Sequence, residues 1–159
     1  MAEKINAKYM RLALKEGSRN LQKMQGGPFG ACIVRKGKVL ALTHNTVLKE
    51  DATCHAEINA IRLASRKAKT FDLSGAVIYS TTEPCPMCFC AIHWARIKLV
   101  VYGTNIQDAS KIGFNEMKIS NSRMRSLARC KVKIISGFLL AECRKLLKDW
   151  NALANRKLY

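Results

Sequence analysis

Two short stretches constrain this chain more than anything else in it: Cys54-His55-Ala56-Glu57 and, further along, Glu83-Pro84-Cys85-Pro86-Met87-Cys88. Together they offer an imidazole, two closely spaced thiols and free acids. Zn2+ takes nitrogen and sulfur donors, and a catalytic zinc has three protein ligands with the fourth position left for water. His55, Cys85 and Cys88 have the chemistry of such a set. Glu57 is then the acid left to move protons. A chain that builds this site must bring two distant segments to one point.

The spacing suits two helix starts. With a helix beginning near Cys54, His55 falls in its first turn, and Glu57, two positions on, lies roughly 200° around the axis but only about 3 Å along it. Pro84 and Pro86 fix the chain as it enters a second helix, whose first turn carries Cys85 and Cys88 on one face. The positive end of that helix favours thiolates. Taken alone, Cys-x-x-Cys also suits a redox pair or half of a closed structural zinc site, and His-x-Glu is common by chance. A closed site needs a fourth ligand, for which His44, His93, Cys32, Cys54, Cys90, Cys130 and Cys143 are available. The order of the ligands, the prolines and the intervening length together favour an open, catalytic zinc.

At 159 residues, with 48% hydrophobic content, the chain suffices for a single domain over 1–159 with one core and no disulfides. Seven cysteines, two of them assigned to metal, suit a reducing compartment. No apolar run approaches the roughly 20 residues that cross a bilayer, and Met1-Ala2-Glu3-Lys4 begins no secretory signal, so the expectation is a soluble cytoplasmic protein. Charge is the unusual bulk property: 28 Lys and Arg against 11 Asp and Glu, a net +17. Such a surface attracts polyanions such as RNA. The cations are nevertheless dispersed and form no block with interleaved aromatics, which weighs against specific RNA binding.

In order along the chain, residues 4–23 read as an amphipathic helix, with Ile5, Tyr9, Leu12 and Ala13 on one face. Residues 29–35 and 38–43 read as strands joined at Lys36-Gly37. A loop over 45–53 leads to a zinc-site helix over 54–69, with Ile58, Ile61 and Ala64 facing the sheet. A strand at 76–81 delivers the cysteine motif, and a helix over 87–95 follows it. A strand at 98–102 precedes a loop over 105–117 that shows little periodicity. Beyond it come a short helix over 121–129, a strand at 131–136 and a last helix over 138–155. That helix has Leu139, Cys143, Leu146, Trp150 and Leu153 on one stripe, which either the chain's own sheet or a neighbour's can bury. Strands alternating with helices predict an α/β fold: three layers, α/β/α, around a five-stranded mixed sheet.

With these features in place, the chain resembles the cytidine deaminase superfamily over nearly its whole length, and within it the bacterial guanine deaminases. The landmarks are Gly26-Gly27-Pro28-Phe29-Gly30-Ala31, His55-Ala56-Glu57, Glu83 to Cys88, Ala91-Ile92, Trp94-Ala95-Arg96, Gly113-Phe114-Asn115-Glu116 and the ending Ala154-Asn155-Arg156-Lys157-Leu158-Tyr159. The last two are the more particular to guanine deaminases. The resemblance implies hydrolysis of guanine at C2 to xanthine and ammonia, with Zn2+ as cofactor. It implies that Asn45 hydrogen-bonds the purine, that Phe29 and Trp94 shape the base slot, and that the backbone of Ala56 reaches the ring carbonyl. Glu116 would contact the ring nitrogens and amino group and share proton transfer with Glu57. His44, beside Asn45, is an alternative substrate contact. Tyr159 would close the site of the other chain in a homodimer that exchanges C-terminal segments. Adenosine in tRNA, cytosine or a nucleoside is the alternative substrate, and a non-catalytic, zinc-stabilised RNA-binding module is the alternative class.

Overall fold

A computed structural model describes residues 5–159 of the chain. Its centre is a sheet of β1 (Gly30–Arg35), β2 (Lys38–His44), β3 (Ala76–Thr82), β4 (Leu99–Thr104) and β5 (Lys133–Ile135), in the order β2-β1-β3-β4-β5. β1 pairs antiparallel with both β2 and β3, whereas β3, β4 and β5 run parallel, so the sheet is mixed as expected. The β1–β2 hairpin turns at Lys36 and Gly37, both with positive φ (51° and 71°), a turn whose twist matches the flanking strands.

Strand alternation sorts the core into two faces. Ile33, Ile78 and Val100 point to one face, against α3 (Ala56–Ala68) and α4 (Pro86–Trp94), whose Ala60, Ala64, Phe89 and Ile92 are buried there. Cys32, Val34, Val77, Tyr79 and Val101 point to the other, against Met10 and Ala13 of α1 (Ala7–Ser18) and Cys143 of α7 (Leu140–Asn151). Three layers result. On α3 the row that seats on the sheet is Ala56, Ala60 and Ala64, with Ile58 only half-buried, because small side chains let the helix axis approach the strands.

Several boundaries differ from the sequence reading. The helix expected over 4–23 is two helices, α1 and a short α2 (Asn20–Lys23), broken at Arg19; residue 4 lies outside the described residues. α1 lies so close to β1 that a Cβ on Gly30 would come 2.0 Å from the Ala13 carbonyl oxygen. The stretch 105–117 is not all loop: it contains α5 (Ile106–Lys111), started by a capping box of Asn105 and Asp108 too short to show periodicity. α6 (Asn121–Leu127) and β5 are shorter than expected. The last helix begins only at Leu140, after the left-handed residue Leu139. Its stripe packs within its own chain: Cys143, Leu146 and Trp150 are buried there. Among the described residues, no helix is long and apolar enough to cross a membrane.

Candidate active site

The site forms where two helix N-termini meet the C-terminal end of β3. His55 is extended (φ −65°, ψ 155°) and serves as the N-cap of α3, one position earlier than the first turn assigned to it. Cys85 is likewise the N-cap of α4, with Pro86 inside the first turn, where its fixed φ suits the helix and its missing N–H costs nothing. Cys88 follows one turn on and is fully buried. The donor atoms of His55, Cys85 and Cys88 all lie within 4.8 Å of one another, with Cys85 Sγ 3.6 Å from His55 Nδ1. Two helix starts here stabilise negative charge on sulfur.

The electrostatics are those of a site that shares few protons. Cys85 is drawn down to about 4, first by the hydrogen bond with Cys88 and then by His55, against the effect of burial. Cys88 is pushed up by the same pairing and by burial. One imidazole and two thiols converging at this spacing match zinc's preference for nitrogen and sulfur, and as three protein ligands they leave one coordination position for the pocket. Glu57, only 6% exposed, stands beside them: its Oε2 is 3.6 Å from Cys88 Sγ and its Oε1 accepts a hydrogen bond from Ser80 at 2.9 Å. Burial raises its pKa.

Phe29, Asn45, Glu116 and Tyr159 line the same small pocket as His55, Glu57 and Cys85. Burial, then the Cys85 thiolate, raises Glu116 to about 7. Asn45 Oδ1 accepts from Val47 N–H at 3.1 Å, while its buried Nδ2, near the Tyr159 hydroxyl, finds no acceptor of good geometry among the described residues. That donor is free for a ligand. Gly26 is compelled by Asn45: a Cβ there would sit 1.9 Å from Asn45 Oδ1. Tyr159 accepts a hydrogen bond from Gly27 N–H at 3.2 Å and meets the Phe114 ring edge-on at 5.5 Å. Phe114 in turn stacks on Trp150 at 4.9 Å.

Trp94 and His44 stand apart from this arrangement. Trp94 is not with the other site residues; it is 76% exposed and lines a separate cavity of about 1040 Å³ with Phe71, Arg96 and Lys131, because its position on α4 faces away from His55. His44 is turned from the pocket, its ring nitrogens engaged with Glu16 at 3.3 Å and Gln25 at 3.0 Å. Within the single chain, the tail runs back over Phe114 and Tyr159 lies over the chain's own pocket. Ala56 is buried between His55 and Glu57, its carbonyl accepting from Thr43 at 2.7 Å, and does not itself line the pocket.

Sequence reading missed the residues that hold these groups in place. The buried Glu83 carboxylate accepts from Ile106 N–H at 3.2 Å and Asn121 N–H at 2.8 Å, tying the first turns of α5 and α6 to the cysteine loop. Asn121 Nδ2 adds a bond to Pro84 O at 2.6 Å. Asn20 Nδ2 donates to the carbonyls of Gly27 and Asn45, both at 2.8 Å, knotting two walls of the pocket together. An acid directly before Pro-Cys was the available signal for Glu83; Asn20 left none.

Fold and site together define a zinc-dependent hydrolytic deaminase. The family model for the cytidine and deoxycytidylate deaminase zinc-binding region matches residues 3–104, and the chain belongs to that family. It is 36% identical to the guanine deaminase of Bacillus subtilis (strain 168) over 135 residues, 84% of this chain and 86% of that one. It is also 36% identical to the tRNA-specific adenosine deaminase of Buchnera aphidicola subsp. Schizaphis graminum (strain Sg) over 124 residues, 77% of this chain and 79% of that one. Among solved structures, guanine deaminase from Nitrosomonas europaea superposes with a TM-score of 0.85 at 28% identity, covering 96% of this chain and 88% of that one. Among the described residues, His55, Cys85 and Cys88 form a group that could hold the zinc of this family.

Proposed function

We propose that the protein hydrolyses guanine to xanthine and ammonia. The observation that carries this reading is the roof of the pocket, made by Glu116 and the C-terminal Tyr159 of the same chain. Guanine presents N–H donors at N1 and at its exocyclic amino group, which a second carboxylate can accept; the corresponding edge of adenine has an unprotonated N1. A tail lying over the pocket suits a free base better than a nucleotide still joined to a polymer. The similarity to guanine deaminases supports the same choice.

Zinc, when bound, supplies the Lewis acid that makes a water nucleophilic near neutral pH. Asn45 and Glu116 orient the purine so that C2 faces the ligand group, with Phe29 against the ring. Glu57 accepts a proton from the attacking water and delivers it to N3 as the oxygen adds to C2. It then moves the proton of the oxygen added at C2 to the exocyclic nitrogen; the C2 carbonyl forms as the C2–N bond breaks, and ammonia leaves. Guanine and water thus become xanthine and ammonia. A buried carboxyl with a raised pKa is suited to both transfers, an effect worth about 10²–10⁴ in rate.

The equal identity to a tRNA-specific adenosine deaminase and the net charge of +17 favour one competing reading, action on adenosine in tRNA. Ammonia release from guanine, adenine, cytosine, cytidine and a tRNA anticodon stem-loop separates the two. Guanine is expected to be the preferred substrate. Turnover of the stem-loop or of cytosine with none of guanine refutes the proposal, and RNA binding without release from any substrate points to a non-catalytic module.

A further inference from the structure

Ser80 sits near the end of β3 on the face that carries Ile78 toward α3, which brings its hydroxyl beneath the first turn of that helix. It is 1% exposed. Its Oγ lies 2.9 Å from Glu57 Oε1 and 2.7 Å from the carbonyl oxygen of Thr82. A hydroxyl has one hydrogen and two lone pairs, and a backbone carbonyl can only accept. The single hydrogen therefore goes to Glu57 or to Thr82, and whichever way it points, Ser80 stays hydrogen-bonded. The carboxyl also receives a bond from its own backbone N–H, and β3, buried throughout and flanked by β1 and β4, is a rigid support for the Ser80 hydroxyl.

We infer that Ser80 is a positioning residue for Glu57: it fixes one carboxyl oxygen so that the other, beside Cys88, is presented to the reacting atoms through both proton transfers. The inference rests on the reading of Glu57 as the proton carrier. While Glu57 is ionised the Ser80 hydroxyl donates to Oε1. Oε1 remains an acceptor when the travelling proton sits on Oε2, so the same hydroxyl can hold it through both transfers. With Oε1 held in this way, the carboxyl keeps its rotamer between the two transfers. A site tuned this way gains in turnover rather than in substrate binding, because Ser80 does not line the pocket.

The test compares Ser80→Ala and Ser80→Thr with the wild-type, zinc-loaded chain, using whichever base the wild-type enzyme turns over best. A hydrogen bond to an ionised group is worth enough that Ser80→Ala is expected to lower kcat roughly 10–100-fold, with KM changed by less than about twofold. Zinc content stays stoichiometric. Ser80→Thr, which keeps the hydroxyl, recovers most of the lost kcat. A crystal structure of the zinc-loaded Ser80→Ala chain reads the placement without turnover: the Glu57 carboxyl is expected to have rotated from its wild-type orientation. The inference is overturned by a kcat within about twofold of wild type in Ser80→Ala, by a loss that follows lost zinc or raised KM, or by an unmoved Glu57. Failure of the guanine assignment alone leaves the comparison intact on another base.

Discussion

Replacing Asn20 tests whether a residue that does not itself line the pocket holds its walls in register. The Asn20 amide is wholly buried and donates to the carbonyls of Gly27 and Asn45, both at 2.8 Å, while its Oδ1 accepts weakly from Gln25 N–H at 3.3 Å. In Asn20→Ala the Gly27 oxygen keeps the Phe29 N–H at 2.8 Å, so the larger penalty falls on the Asn45 carbonyl. A buried polar group deprived of its partner costs about 1–3 kcal/mol, and with the weaker Gln25 bond the total is about 2–4 kcal/mol. For a chain of this length that is a fall of roughly 5–15 °C in Tm, measured by calorimetry on the zinc-loaded protein. Asn20→Asp is nearly isosteric but offers no donor when ionised and brings its oxygens against two carbonyls. It should be less stable than Asn20→Ala at neutral pH, and both variants should lower kcat/KM because Asn45 shifts with its carbonyl. An Ala variant within about 0.5 kcal/mol of wild type, or an Asp variant as stable as wild type, refutes the reasoning.

Ligand and proton carrier should separate cleanly. Glu57→Gln is expected to retain one zinc per chain and lose about 10²–10⁴ in kcat, whereas Cys88→Ala should lose the metal, as metal analysis of both purified variants will show. Because Tyr159 covers its own chain's pocket, deleting residues 156–159 should cut kcat/KM roughly tenfold or more while changing Tm little. Mixing that truncated chain with a Glu57→Gln chain should restore no activity; recovery in a verified heterodimer would show that tails are exchanged after all.

The zinc ligands were legible because the chemistry is local. His-x-Glu and Pro-Cys-x-x-Cys state donor type and spacing within a few residues, and helix starts place such residues reproducibly. The alternation of β1, β3 and β4 was equally plain, since hydrophobic residues on both faces of a strand imply helices on both sides. Short elements were not: the α5 capping box spans too few residues for a period to emerge. The approach of α3 was misjudged because large apolar residues attract attention, although the alanines set the distance to the sheet.

By itself the sequence determined which atoms can bind zinc, which acid remains free, and that the sheet is covered on both faces, because these follow from side-chain chemistry and short-range periodicity. Tertiary structure alone decided which groups share the pocket. Trp94 and Phe114 are equally aromatic in the sequence, yet the packing of α4 turns one to solvent while Phe114 meets the rings of Trp150 and Tyr159. Ser80, Asn20 and Glu83 carry no motif of their own; each acts through partners far away in the chain, at Glu57, Asn45 and Asn121. The α7 stripe was ambiguous for the same physical reason: an apolar stripe specifies burial, and the folded chain supplies a surface for Cys143, Leu146 and Trp150.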